Sequence, residues 1–453
     1  MSVRNIDLRR RAIELFQQHG LLPFREILTH DLFRSISRRE ERASTILTEQ
    51  VVFWLMGLVA LSDGVLSAAV LKFWTPLLPL LPTLAFQPVT EEAFCIARGR
   101  LPIAFFRDLF NAVLARYQED FGHRYHWKGL RLWGIDGTLL ELSSLSPVLR
   151  RMFPSFDRED RPSKVPKARL VGLVGLRDGV SKGFLLGTIR LSEHTCVRRL
   201  LQLLTPGDLL LADKNFVSTE TFALLASRKV PFLFRLSSGQ FTRPARRRTP
   251  SRRKNEGYIT LKVPHKLLLK HPGLPSILTL RVLDYHFPGG EAGRLITSLL
   301  ETRKYPYHEV VSLYHERWMQ ETVYREWKQN LNLSNLRSHS RTGLYKEVFV
   351  QLTLNNAIRW LMAKAAGEDQ RPVELQFLNA KRLILHTLPL LPTAPVLKAA
   401  QIYHGLLEEI AKQVILKRPG RRYPRGPRDK TPVRPRPDLE WQKLFGHPLA
   451  GAS

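Results

Sequence analysis

Leu130-Arg-Leu-Trp-Gly-Ile135-Asp136-Gly137-Thr138 is where this chain changes character. Upstream, apolar residues recur at helical spacing; here they alternate, and the run ends on Asp-Gly-Thr as a strand closing in a turn. Leu170 to Leu176 and Phe184 to Leu191 are two further runs of this kind, joined at Asp178-Gly179. They read as a strand followed by a hairpin. A short helix around Val197 to Leu204 comes next, then the apolar run Leu209-Leu-Leu-Ala212 leading into Asp213, a helix from Thr219 to Ser227 and a strand from Pro231 to Leu236. An unbroken apolar strand is one buried on both faces. Three strands followed by alternating helices and strands is the order of an α/β fold with a ribonuclease H-like mixed sheet and helices on its faces.

Working outward, residues 123–335 form the expected core domain. Within it, 237–293 interrupt the pattern with a basic run, Arg246-Arg-Arg248 and Arg252-Arg-Lys254, then strand-like pieces at Tyr258 to Val263 and Ile277 to Tyr285 and a turn at Pro288-Gly-Gly290. This predicts an inserted β-rich subdomain. Leu295 to Leu300 returns to the core, and Pro306 opens a long helix. Residues 1–122 read as a helical N-terminal DNA-binding domain. Asp7 to His19 is amphipathic, and Thr48 and Thr90 are placed to cap helices. The apolar stretch from Val51 toward Trp74 is interrupted by Asp63-Gly64, so it predicts a buried helical pair rather than a bilayer span. The helix, break, helix layout around Gly99 and Pro102, with Arg98, Arg100, Arg107 and Arg116, suggests a groove reader, although any small helical domain shares that layout. Residues 336–416 read as a helical region for dimerisation or DNA contact, with stretches at Leu344 to Ala366 and Leu375 to about Val414, the second broken by Pro389, Pro392 and Pro395. Residues 417–453 are a basic Pro/Arg tail whose composition predicts disorder.

Charge narrows the partner. With 70 Lys+Arg against 40 Asp+Glu the formal charge is +30, far beyond the magnitude of about 2–8 that solubility asks of a small domain. A polyanion is the expected partner. The two cysteines, Cys95 and Cys196, exclude a disulfide scaffold and a cysteine-rich zinc site, which fits a cytoplasmic protein. The opening residues lack the apolar core of a signal peptide.

Three acids carry the chemistry. Apolar strands lead directly into Asp136 and Asp213, whereas Asp178 falls in a hairpin turn and Asp157, Glu159 and Asp160 in a polar loop. The third lies in Tyr314-His-Glu-Arg317-Trp-Met-Gln-Glu321-Thr-Val-Tyr-Arg-Glu-Trp-Lys328. At about 100° per helical residue, Tyr314, Arg317, Glu321 and Lys328 share an arc of roughly 60°, while Glu316 and Glu326 project elsewhere. Each acid has a plainer reading: Asp136 as a turn starter, Asp213 as a helix cap, Glu321 as the i+4 partner of Arg317 on an exposed face. Taken together, two acids at strand ends and one on a packed helix are how a two-metal phosphoryl-transfer site is assembled. Hard oxygen ligands select Mg²⁺, with Mn²⁺ as the alternative, and the two ions stand about 3.5–4 Å apart.

At these residues the chain resembles a known family. Tyr314, two residues, Arg317, three residues, Glu321, six residues, Lys328 resembles the YREK signature of DDE transposases of the insertion sequence 4 family. Leu209-Leu-Leu-Ala-Asp213-Lys-Asn-Phe216 and Ile135-Asp136-Gly-Thr138 resemble the blocks around that family's two aspartates. The resemblance spans roughly residues 90–345. It implies that Asp136, Asp213 and Glu321 are catalytic and bind two metal ions, and that Tyr314, Arg317 and Lys328 hold DNA phosphates. It implies cleavage at transposon-end inverted repeats and strand transfer into target double-stranded DNA by a homodimer in a synaptic complex. A ribonuclease H-like nuclease without strand transfer and a domesticated DNA-binding protein are the alternatives. Relatives that form a DNA hairpin stack a flipped base on a tryptophan of the insertion; this chain has none between Trp133 and Trp318, which leaves Tyr258, Tyr285 or Phe287 for that part.

Overall fold

The computed structural model describes residues 22–37, 47–62, 90–154, 157–158, 161–162, 165–237, 248–250, 255–286, 292–368, 370–388, 390–391 and 394–416. The expected helix at Asp7 to His19, the second half of the apolar pair beyond Asp63, most of the basic run 246–254, the Pro288-Gly-Gly290 turn, Phe287 and the tail from 417 lie outside the described residues. The chain divides into two compact units, Met1–Val414 and Ile415–Ser453, and only Ile415 and Leu416 of the second are among those described.

The centre of the first unit is one mixed sheet. Strand β1 (Arg131–Glu141) pairs antiparallel with β2 (Lys167–Gly175), and β2 with β3 (Ser181–Thr188). On its other side β1 runs parallel to β4 (Asp208–Ala212), and β4 parallel to β5 (Phe232–Leu236). The order β3-β2-β1-β4-β5 is that of a ribonuclease H-like sheet. The inserted segment supplies β6 (Arg248–Pro250), β7 (Glu256–Lys262) and β8 (Ile277–His286), and β9 (Ala292–Thr297) follows it. These strands do not make a separate layer. β9 pairs antiparallel with β5, giving a nine-stranded sheet of order β3-β2-β1-β4-β5-β9-β8-β7-β6. The physical reason is the edge: without β9, β5 would present a row of unpaired amides and carbonyls.

A second difference concerns β1. The expected strand ends at Asp136-Gly-Thr138, but β1 continues to Glu141 because its ladder with β2 runs on to Glu141 opposite Lys167. Asp136 is therefore inside a strand. Its parallel neighbour β4 stops at Ala212, opposite Ile135.

Side-chain alternation sorts the core. Leu209, Leu211 and Leu233 pack with Val310, Leu313 and Tyr314 on one face; Leu210, Ala212, Phe232 and Phe234 face the other, where Phe222 stacks on Phe232 at 4.6 Å between ring centroids.

The N-terminal helices are α1 (His30–Ile36), α2 (Glu49–Leu61), α3 (Glu91–Arg100) and α4 (Ile103–Phe121). Thr29, Thr48 and Thr90 cap the first three by accepting a backbone N–H. After β1 come α5 (Pro147–Met152), α6 (Glu193–Leu200), α7 (Thr219–Ser227), α8 (His265–Lys270) and α9 (Tyr307–His315). Then follow α10 (Met319–Asn330), α11 (Arg341–Ala365), α12 (Phe377–Thr387) and α13 (Val396–Lys412). The last helical stretch is two helices, α12 and α13, divided between Thr387 and Val396, the part of the sequence where the prolines predict a break.

Helix α11 is buried for most of its length and ties the ends of the unit to the sheet. Phe349 meets Phe110 of α4 at 5.9 Å and Phe184 of β3 at 4.7 Å. Asn356 donates to the Ser181 carbonyl at 2.9 Å and accepts from the Ser181 amide at 2.7 Å. No helix among the described residues is long and apolar enough to cross a membrane.

Candidate active site

The site forms where β4 stops short of β1. Ile135 is level with Ala212, so Asp136 and Asp213 follow side by side on neighbouring strands, with only the width of a strand pair between their backbones. Asp213 then occupies the N-cap position of the short turn Lys214–Phe216, but its side chain makes no capping bond there. Nor does Asp136 start a turn. Its carboxylate accepts from the Gly137 amide at 2.7 Å within a continuing strand.

Helix α10 brings the third acid over this edge. Gly134 makes the close approach possible, since a Cβ there would stand 2.4 Å from Gln320 Oε1. Tyr324 then anchors the helix. Its hydroxyl donates to the Asp136 carbonyl and accepts from the Gly172 amide at 3.0 Å and from Gln320 Nε2 at 3.2 Å. Glu321, one residue beyond Gln320, keeps its side chain about half exposed.

The segment carrying Glu321 differs from the expected continuous helix. A 3₁₀ turn, Glu316–Trp318, separates α9 from α10, so the arc calculated for an unbroken helix does not carry across it. Tyr314 is buried rather than displayed on an exposed stripe. It is 2% exposed, its hydroxyl has no hydrogen-bond partner, and its ring packs edge-on against Tyr285 at 6.4 Å. Burial, joined by Asp213 and Tyr285, holds its hydroxyl well above the usual range. Tyr285 is likewise buried, so it offers no open ring for a base; Tyr258 is partly buried and donates to the Leu300 carbonyl at 3.4 Å.

Arg317 is the hub. Its Nη2 donates to Glu321 Oε1 at 3.2 Å, and its Nε is buried without a partner. Burial works against its charge, yet Tyr314, Asp213, Glu321 and Asp136 together outweigh that and hold the guanidinium above its ordinary pKa. The charges of all three acids thus act on one cation, which bonds Glu321 directly. Half-exposed Trp318 lies 5.7 Å from the guanidinium carbon. Asp136 feels too little of this compensation. Burial first, then Glu193 and Glu321, push its carboxyl up to about 6 against the opposing Gly137 amide and Arg317.

The rival acids are committed elsewhere. Glu316 takes a two-toothed bond from Arg177, at 2.7 and 2.8 Å, and Glu326 is buried against Arg359. Lys328 is not gathered with the three acids. Burial lowers its pKa while Glu141, at the far end of β1, opposes that shift. Arg98 is paired with Glu347 at 3.2 Å and Arg116 with Asp120 at 2.9 Å.

Two further residues belong to the neighbourhood and escaped the sequence reading. Arg235 is level with Asp213 on the adjacent strand, because Ala212 pairs with Phe234, and it acts electrostatically on Tyr314 and Tyr285. Glu193, in the first turn of α6, acts on Asp136 ahead of Glu321.

The donor set suits a hard divalent cation, being carboxylate oxygens throughout. Among the described residues no three His, Cys, Asp or Glu side chains already converge as a metal-holding group. The Asp136 carboxyl, raised by burial and then by Glu193 and Glu321, would gain from a divalent charge beside it, whereas the buried, partnerless Nε of Arg317 is a donor left for an anionic oxygen. The residues fit a divalent ion.

Residues 135–356, from the position before Asp136 to the middle of α11, match the family described as Transposase DDE domain. The chain is a DDE transposase, a metal-dependent enzyme that cleaves DNA and transfers strands. It is 26% identical over 306 residues to the transposase InsG for insertion sequence element IS4 of Escherichia coli (strain K12), covering 66% of this chain and 68% of that one. Within the DDE transposases its similarity is thus to an insertion sequence 4 enzyme. A cryo-EM structure of the piggyBac transposase synaptic complex with hairpin DNA aligns with 88% of this chain and 86% of its own at 12% identity and a TM-score of 0.40. The fold assignment rests on the strand order.

Proposed function

We propose that this chain excises its element by cutting at the terminal inverted repeats and joins the freed 3′-hydroxyl ends to target DNA, working as a homodimer that brings two ends together. The observation that supports this reading is the strand register that sets Asp136 and Asp213 side by side where β4 stops, with Arg317, bonded to Glu321, feeling the charge of all three acids. Asp136, Asp213 and Glu321 would hold two Mg²⁺ ions, with Mn²⁺ as a substitute. When bound, these ions supply polarisation of the scissile phosphate and activation of the attacking oxygen.

The chain's own residues do the rest. Arg317 would leave Glu321 for a DNA phosphate, which its planar fork can grip with two parallel bonds. Tyr314, whose ring centroid lies 6.0 Å from the Arg317 guanidinium carbon, supports that residue from the core side. Lys328 sits seven residues along α10 from Glu321, about 10 Å at the helical rise, and would serve as a point charge for a phosphate further along the strand.

The test uses two substrates, an intact element end and a pre-cut end with a free 3′-hydroxyl. Asp213→Asn and Glu321→Gln should each reduce nicking of the first and joining of the second to background while DNA binding persists. Wild-type rates in either variant would remove these residues from the site. Nicking without joining by the unmodified chain would make it a nuclease.

A further inference from the structure

We propose that Glu193 is a positioning carboxylate of the active site, reaching Asp136 from the opposite face of the sheet through the gap left by Gly137. The inference rests on the site reading above and adds a fourth acid to it.

Alternation along β1 sets the geometry. Gly134 and Asp136 point to the face covered by α10, where Gln320 crowds Gly134, and Gly137 points to the other face. There, a Cβ on Gly137 would stand 3.1 Å from Glu193 Oε1. Any side chain at 137 would crowd Glu193, and glycine leaves that carboxylate room beside the β1 backbone next to Asp136. Ser192 caps α6 by accepting from the Thr195 amide at 3.2 Å, which fixes Glu193 in the first helical turn and aims it at this spot.

Among the described residues Glu193 pairs with one cation, Arg169 of β2, at 3.5 Å, with the two side chains 29% and 18% exposed. A pair that long and that open contributes little to stability, about 0–1 kcal/mol. Its charge also reaches Tyr324, the residue that holds the Asp136 carbonyl. On the α10 side, the buried and partnerless Nε of Arg317 points to a ligand that would complete the site. Glu193 would not touch the reacting atoms. Its charge strengthens the pull of the site on the divalent ion that Asp136 would hold.

The experiment titrates the full-length, DNA-free protein with Mn²⁺ and counts free ion by electron paramagnetic resonance. Glu193→Gln is expected to weaken binding about tenfold, the lower end of what outer carboxylates contribute to metal affinity. Arg169→Ala, which releases Glu193 from its cation, is expected to tighten it. A purely structural Glu193–Arg169 pair would move neither. Asp136→Asn separates the two levels of the claim. If it abolishes tight binding while Glu193→Gln binds like wild type, the role of Glu193 is overturned and the site stands; if Asp136→Asn also binds like wild type, the site reading falls with it. Should Glu193→Gln fail to fold by circular dichroism, Arg169→Ala decides, and no tightening there overturns the proposal.

Discussion

Asp136, in the candidate site, shows at the scale of one residue what a buried acid costs the fold. Burial is the largest cause of its carboxyl standing at about 6, with Glu193 and Glu321 adding to it. A carboxyl whose folded pKa lies above its unfolded value of about 4 binds its proton more tightly in the folded chain. Its contribution therefore favours folding at low pH and is lost as pH rises through about 6. Two units correspond to about 3 kcal/mol at most. Asp136→Asn, which cannot ionise, should then be more stable than wild type at pH 7 in the presence of EDTA, and the difference should close near pH 4. Urea denaturation at the two pH values measures this, and an equal gap at both would contradict it. The candidate acids were legible because apolar strands point at two of them. Glu193 and Arg235 were not, since what brings them close is strand register and a contact through the sheet, neither of which leaves a mark in local spacing. The stripe reading favoured Glu321 on an angle that the 3₁₀ turn undoes; what separates it from Glu316 and Glu326 in the fold is that Arg177 and Arg359 occupy those two.

At the scale of elements, the site depends on how α10 is fastened to β1 and β2. Tyr324 is 6% exposed, and its hydroxyl satisfies backbone groups of Asp136 and Gly172 that lie opposite one another in the ladder. Tyr324→Phe keeps the ring against Trp327 but leaves those groups without this partner, a loss of about 1–3 kcal/mol. Because the freed carbonyl belongs to Asp136, strand joining should fall at saturating Mg²⁺ as well. Urea denaturation together with the pre-cut-end assay checks both effects, and full joining activity in a destabilised variant would show that Tyr324 serves the fold alone. Helix and strand limits were largely readable, as the capping threonines and the Leu209–Ala212 run show. The extension of β1 past Asp136 was not, because its continuation depends on pairing with β2 rather than on its own sequence.

At the scale of the molecule, the insertion lengthens the sheet instead of standing beside it, and a buried charge pair holds it to the site-bearing helices. Arg281, with no exposed surface, binds Glu256 and donates to the Tyr305 carbonyl at 2.7 Å, just ahead of α9. No local pattern announces such a link, since its two ends are strands of the insertion and a loop after it. Net charge, in contrast, is a property of the whole chain that composition states outright, and it bears on DNA in a way that can be apportioned. Of the 21 residues from 417 to 437, nine are Lys or Arg. Each phosphate neutralised by a cation contributes about 0.9 to the slope of log K against log salt for duplex DNA. Removing residues 417–453 should therefore reduce that slope by several units on non-specific duplex DNA, with affinity falling most at low salt. Joining of pre-cut ends at saturating DNA should persist, because the three acids and Arg317 are untouched. Fluorescence anisotropy over a salt series reads the first effect and the joining assay the second. An unchanged slope would assign non-specific binding to the rest of the chain, and loss of joining at saturating DNA would give the tail a part in the synaptic complex.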